Sequence, residues 1–162
     1  MKSIFWDLDG VLRDLSGSVF KNKPNSWNYK ENNENIFDKV RKDYSILINA
    51  KPTPYLKIAL SFPFIKILTC QPDDWKPFTE KWVEKHLSRI AYEIIYTLNQ
   101  EQKLTIIKSF DAYLIDDCPQ FSDYSRIVLI DAPYNRHIKC KIRVKSPNEL
   151  KTILKREVYK HA

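Results

Sequence analysis

The stretch Ser3-Ile4-Phe5-Trp6-Asp7-Leu8-Asp9-Gly10-Val11 decides how the rest of the chain is read. Residues 3–6 form a short apolar run, the signature of a strand buried on both faces. The run stops at Asp7, and Asp9-Gly10 is a turn dipeptide. A buried strand with carboxylates at its end places them where open parallel sheets bind ligands, beyond the carboxyl edge of the strands. The same two acidic residues interrupt the apolar start at once, so it does not read as a signal peptide.

Working outward, the pattern recurs. Residues 64–68, 91–97, 113–115 and 127–130 are further short apolar runs, each followed by a polar turn. Helical spacing fills the gaps: 55–60 ahead of the second strand, then Phe78, Trp82, Val83, Leu87 and Ile90, then Leu104, Ile107 and Phe110. Ser146-Pro147-Asn148-Glu149 opens a last helix, with Ser146 as N-cap, Pro147 at N1 and Glu149 completing a capping box. Strands alternating with helices predict an α/β fold, a Rossmann-like and mostly parallel sheet flanked by helices, as one domain over 1–162. Two stretches depart from this rhythm. Residues 14–50 are rich in Asn and Lys, carry one predicted helix over 36–48, and read as an insertion after the first strand. Between 138 and 145 apolar residues alternate with Lys139, Lys141, Arg143 and Lys145, which predicts a strand with one buried and one basic face.

Composition narrows the function classes. Hydrophobic residues make up 43% and aromatics 13%, enough for a core, which excludes a mainly disordered chain. Gly10 and Gly17 are the whole glycine supply, so neither a P-loop nor a G-x-G-x-x-G fingerprint is present. Lys+Arg 27 against Asp+Glu 20 gives +7, a balance that favours anionic partners such as phosphorylated metabolites or nucleic acid. Cys70, Cys118 and Cys140 are too scattered for a disulfide framework or a zinc site, which fits a reducing, cytoplasmic compartment. No apolar run approaches the ~20 residues needed to cross a bilayer, so no membrane partner is expected.

The ends of the predicted strands carry the chemistry. The first ends in Asp7 and Asp9, the second in Thr69 and the fourth in Asp116-Asp117, while Lys103 opens the helix before the fourth, with Lys108 as its rival. Taken singly these are a turn, a cap, a solvated lysine and a loop pair. Together they are four carboxylates at one sheet edge, which repel unless a divalent cation sits among them. Hard oxygen ligands point to Mg2+, and His86, His137 and His161 show no ligand spacing. Which of Asp116 and Asp117 touches the metal stays open at this level.

Asp7-Leu8-Asp9-Gly10-Val11, Ile67-Leu68-Thr69, Lys103 and Leu114-Ile115-Asp116-Asp117 resemble, in order, spacing and strand context, the four motifs of the haloacid dehalogenase (HAD) superfamily of phosphohydrolases. Ile115-Asp116-Asp117-Cys118-Pro119 and Pro133-Tyr134-Asn135-Arg136 are similar to its 5′(3′)-deoxyribonucleotidase branch. The resemblance implies that Asp7 attacks phosphorus and forms an aspartyl-phosphate. It implies that Asp9 protonates the leaving oxygen and later takes a proton from water. Thr69 and Lys103 would bind the phosphate, and Mg2+ would lie between Asp7, the Asp9 backbone carbonyl and Asp116 or Asp117.

The implied activity is a Mg2+-dependent phosphomonoesterase acting on nucleoside monophosphates, with a small cap insertion at about 14–50. That insertion is shorter than the helical bundle of the nucleotidase branch, which admits a polynucleotide-end phosphatase as an alternative. A non-catalytic phosphate or nucleic-acid binding module is a third reading. Phe20, Trp27, Tyr29, Phe37 and Tyr44 would either stack on a base or form the lid's own core.

Overall fold

Six parallel strands form one sheet in the order β3-β2-β1-β4-β5-β6 in the computed structural model, which describes residues 2–121 and 124–157. The strands are β1 (Ile4–Trp6), β2 (Phe64–Cys70), β3 (Ala91–Thr97), β4 (Tyr113–Asp116), β5 (Ile127–Ile130) and β6 (Ile142–Val144). The chain steps outward from β1 to β3, then returns to the other side of β1 to lay down β4. This reversal leaves a crevice between neighbouring strand ends, the usual ligand position of a Rossmann-like sheet.

Among the described residues seven α-helices accompany the sheet: α1 (Leu15–Val19), α2 (Ile36–Lys42), α3 (Ser45–Asn49), α4 (Leu56–Ala59), α5 (Lys76–Leu87), α6 (Gln100–Ser109) and α7 (Pro147–Glu157). Side chains that alternate along the strands feed two cores. Trp6, Ile115 and Val128 join Trp82, Val83 and Leu87 of α5 and Leu150 and Leu154 of α7. Phe5, Leu114 and Leu129 join Ile107 of α6 on a second core. A third cluster joins Leu15, Val40, Leu47 and Ala50 to Trp75, so the 14–50 segment has its own small core and shares it with the turn after β2. Trp82 Nε1 also donates to the Ala50 carbonyl at 2.7 Å. No helix among the described residues is long and apolar enough to cross a membrane.

The five apolar runs are strands where expected, and β2 runs on because Thr69 and Cys70 pair with Tyr96 and Thr97. Four expectations need correction. Residues 36–48 are not one helix: Asp43 is extended (φ −152°, ψ 93°) and its carboxylate accepts from Ser45 N at 2.9 Å, ending α2 and opening α3. A side chain that hydrogen-bonds its local backbone competes successfully with helix continuation. Phe110, placed on the buried stripe of α6, is 55% exposed because it lies at the C-cap, past the last packed turn.

The third correction concerns the basic face at 138–145. Only Ile142–Val144 pairs as strand. Arg143 turns inward, donating to Asp131 Oδ1 at 3.1 Å, Asn135 Oδ1 at 2.7 Å, and the carbonyls of Asn135 at 3.0 Å and Ile138 at 2.7 Å. The last helix also opens with a shifted cap: Ser146 Oγ accepts from Glu149 N at 3.3 Å, but Glu149 accepts from Lys145 N at 2.7 Å.

Arg143 thus clamps the whole loop after β5. Arg143→Met is expected to cost about 2–4 kcal/mol, because the Asn135 and Ile138 carbonyls lose the donor that holds them, while Asp131 and Asn135 Oδ1 are left with Arg136 and Ala132 N. Urea unfolding of variant and wild type checks it.

Candidate functional site

Register brings the site together. Trp6 pairs with Ile115, and Asp7 N donates to the Ile115 carbonyl at 2.9 Å, so Asp7 and Asp116 leave adjacent strands side by side. Lys103 reaches them from the first turn of α6, whose N-cap Asn99 accepts from Gln102 N. The Lys103 ammonium is buried, 2.7 Å from Asp7 Oδ1 and 2.9 Å from Asp116 Oδ2. Lys108 is exposed, with its ammonium 5.6 Å from the Tyr124 ring, so Lys103 is the lysine of the cluster.

The second Asp116 oxygen accepts from Cys118 N at 2.7 Å. Asp117 accepts from the Tyr134 hydroxyl, and its backbone carbonyl accepts from Asn135 Nδ2 at 2.9 Å. The same Asn135 amide reaches the Ile130 carbonyl at 2.8 Å, so one wholly buried side chain ties the loop after β4 to the end of β5. Gly10 closes the site from the β1 loop. Its φ is +86°, and a Cβ there would fall on the Asp117 carboxylate, so this position needs glycine twice over.

Asp7, Asp116 and Asp117 are buried and offer oxygens that all lie within 4.8 Å of one another. Burial, then the charge of Asp116, raises the Asp7 carboxyl well above its ordinary range despite Lys103. Burial and Asp116 likewise push Asp117 up to about 7, against the pull of Tyr134 and Lys103. Burial alone would lower Lys103, yet the charges of Asp116 and Asp7 hold it above its usual value. Tyr134 is raised by burial and by Asp117. When all three carboxylates are ionised, one ammonium leaves two negative charges unbalanced, a deficit that a hard divalent cation could fill.

Asp9 behaves differently. Its carboxylate is not part of this cluster but is held by Arg13, so an Asp9 metal contact would come from its backbone. Thr69 is buried beside the cluster, its hydroxyl accepting from Gln71 Nε2 at 3.2 Å and its carbonyl accepting from Thr97 Oγ1 at 3.4 Å.

These residues open into a cavity of about 460 Å³, whose lining includes Asp7, Asp9, Thr69, Lys103 and Asp117. Much of the remaining wall is aromatic and comes from the 14–50 segment: Phe20 meets Tyr29 edge-on at 5.0 Å, Trp27 meets Tyr134 at 5.5 Å, and Phe37 leans on Trp75 at 5.4 Å. Tyr44 instead stacks on Phe78 at 4.8 Å and belongs to the packing of the segment. Two polar atoms of lining residues, the Trp75 indole N–H and the Gln100 side-chain oxygen, are buried without a partner.

Sequence reasoning had Tyr134 and Asn135 only as part of a motif similar to the nucleotidase branch, and it missed Arg13, Gln71 and Thr79. The four-residue spacing of Asp9 and Arg13, one helical turn, was the available signal. Nothing local announces Thr79, which reaches the site only through packing of α5. Cys70 and Cys118 do lie near the carboxylates, and burial raises both thiols, so neither is poised as a thiolate. No protein-family model matches the chain, and no curated protein matches it either.

A carboxyl with a folded value near 7 and an ordinary value of 3.8 destabilises the native state increasingly as pH rises between those values. With divalent ions chelated, Asp117→Asn is therefore expected to raise Tm by roughly 5 °C at pH 8 and by little at pH 4. Calorimetry at the two pH values checks the direction.

Proposed function

We propose that this protein is a Mg2+-dependent phosphomonoesterase of the HAD type that hydrolyses nucleoside monophosphates through an aspartyl-phosphate on Asp7. The observation that carries the reading is a carboxylate at a strand end, bound to a buried ammonium and beside a buried carboxylate pair, in a cavity with an aromatic wall. The order of the four motifs supports it independently.

The Mg2+ would be held by Asp7, the Asp9 carbonyl and the Asp116-Asp117 pair, and would offset the repulsion between these carboxylates and a phosphate dianion. Lys103 holds Asp7 Oδ1 and brings a second positive charge to the phosphoryl group. The Thr69 hydroxyl binds a phosphate oxygen. Asp7 attacks phosphorus, the bond to the ester oxygen breaks, and that oxygen takes a proton from Asp9. Water then attacks the phosphoryl group and gives its proton to Asp9, the bond to Asp7 breaks, and inorganic phosphate leaves. Positioning and charge account for most of such catalysis.

The cavity suits a nucleoside. At about 460 Å³ it lies within the ~300–1,000 Å³ of small-molecule sites. Its aromatic rings offer stacking surface for a base. Trp27 and Phe37 are 43% and 44% exposed, which together with the +7 charge favours a polynucleotide end as the second substrate reading.

A panel of nucleoside monophosphates and end-phosphorylated oligonucleotides is expected to be hydrolysed with Mg2+ and not with EDTA. Asp7→Asn is expected to lower kcat/KM by about 10³-fold or more. Turnover that persists in EDTA or in Asp7→Asn would count against the reading. Ligand-induced thermal shifts without any turnover would favour a binding module. An oligonucleotide outcompeting every mononucleotide, with steep salt dependence, would favour the polynucleotide end.

A further inference from the structure

Asp9 is gripped from behind. Arg13 Nε donates to Asp9 Oδ1 at 2.6 Å and Nη2 donates to Oδ2 at 3.0 Å, a bidentate fork that fixes both the plane and the rotation of the carboxylate. Arg13 itself is wholly buried, whereas the Asp9 side chain is 25% exposed and lines the cavity.

The guanidinium is anchored from two other elements. Nη1 donates to the Leu47 carbonyl of α3 at 3.0 Å and to Thr79 Oγ1 of α5 at 3.2 Å. Thr79 donates onward to Gln71 Oε1 at 2.6 Å, and Gln71 Nε2 donates to Thr69 Oγ1 at 3.2 Å. One chain of hydrogen bonds therefore links the Asp9 carboxylate to the hydroxyl of Thr69. Such a fork does more than neutralise charge, because a lysine at the same place would hold one oxygen and leave the carboxylate free to rotate.

We propose that Arg13 is a positioning residue that aims the Asp9 carboxylate as proton acceptor for the water that hydrolyses the aspartyl-phosphate. This role rests on the phosphatase reading. In that step the water oxygen bonds to phosphorus, its proton passes to Asp9, and the phosphorus–oxygen bond to Asp7 breaks with its electron pair returning to Asp7. Carboxylate oxygens held by two N–H donors keep their remaining lone pairs as acceptors, and the fork sets where these point.

Rapid-quench kinetics with p-nitrophenyl phosphate and Mg2+ isolate this step. The nitrophenolate leaves without needing a proton, so kcat/KM reports formation of phospho-Asp7, while decay of the acid-quenched phosphoprotein reports attack by water. Arg13→Lys is expected to slow that decay and lower kcat by about 10–100-fold, with phosphoprotein accumulating and kcat/KM within about threefold of wild type. A parallel fall of kcat and kcat/KM, the mark of general loosening, or an unchanged decay rate, overturns the proposal. If Arg13→Lys does not unfold cooperatively, Thr79→Val carries the test. It removes one anchor of the guanidinium and is expected to slow decay several-fold at constant kcat/KM, and an unchanged decay overturns the role of Arg13. A wild type that forms no phosphoprotein and turns over no phosphomonoester overturns the phosphatase reading, and this proposal with it. Wild-type turnover with a failed split overturns Arg13 alone.

Discussion

Mutual repulsion among the buried carboxylates of Asp7, Asp116 and Asp117 is the constraint around which this fold is arranged. Desolvation and Coulomb repulsion both oppose ionising such a cluster, and a single ammonium cannot balance it. Lys103 reduces the problem by touching two of the three groups, and it can do so only because α6 begins directly over the edge where β1 and β4 end. What remains is an attraction for positive charge concentrated at one point of the surface. Three carboxylates so placed form a group that could hold a metal ion.

The surrounding architecture keeps the groups from relaxing apart. Backbone pairing of β1 with β4 sets the spacing of Asp7 and Asp116, and Gly10 allows the next loop to approach Asp117 without a side chain in between. Asn135 and Arg143 form a polar column under Asp117 in which every acceptor is matched to a donor with good geometry. Such networks are stable only when complete, so the loops after β4 and β5 stand or fall as a unit. The 14–50 segment is joined to the same body by Ala50 on Trp82 and Leu47 on Arg13, which puts its aromatic wall at a fixed distance from the carboxylates.

Elements whose residues are buried on both faces were legible from the sequence, because a short unbroken apolar run between polar turns fits the interior of a parallel sheet and little else. That is why 127–130, buried throughout, is a strand with the bounds expected of it, and why acidic residues ending such runs pointed to the edge where the cluster forms. Segments whose conformation depends on a single side-chain bond were not legible. Asp43 ends α2 by capturing Ser45, and the alternation at 138–145 describes a surface strand until Arg143 finds four acceptors in the loop beside it. Asp9 and Arg13 had suitable spacing, but the partners that bury Arg13 lie 34 and 66 residues away.

The sequence by itself determined the strand-helix alternation, the polarity of the sheet edge and the set of groups that carry charge there, since apolar periodicity and residue chemistry are local properties. Only the tertiary structure decided how those groups divide. It turned Asp117 toward Tyr134, gave Lys103 rather than Lys108 to the cluster, and handed the Asp9 carboxylate to Arg13 instead of to the other acids. The reason is that a side chain's partner is chosen by register and by helix docking. Both follow from burying the apolar faces of distant segments, which no local pattern encodes.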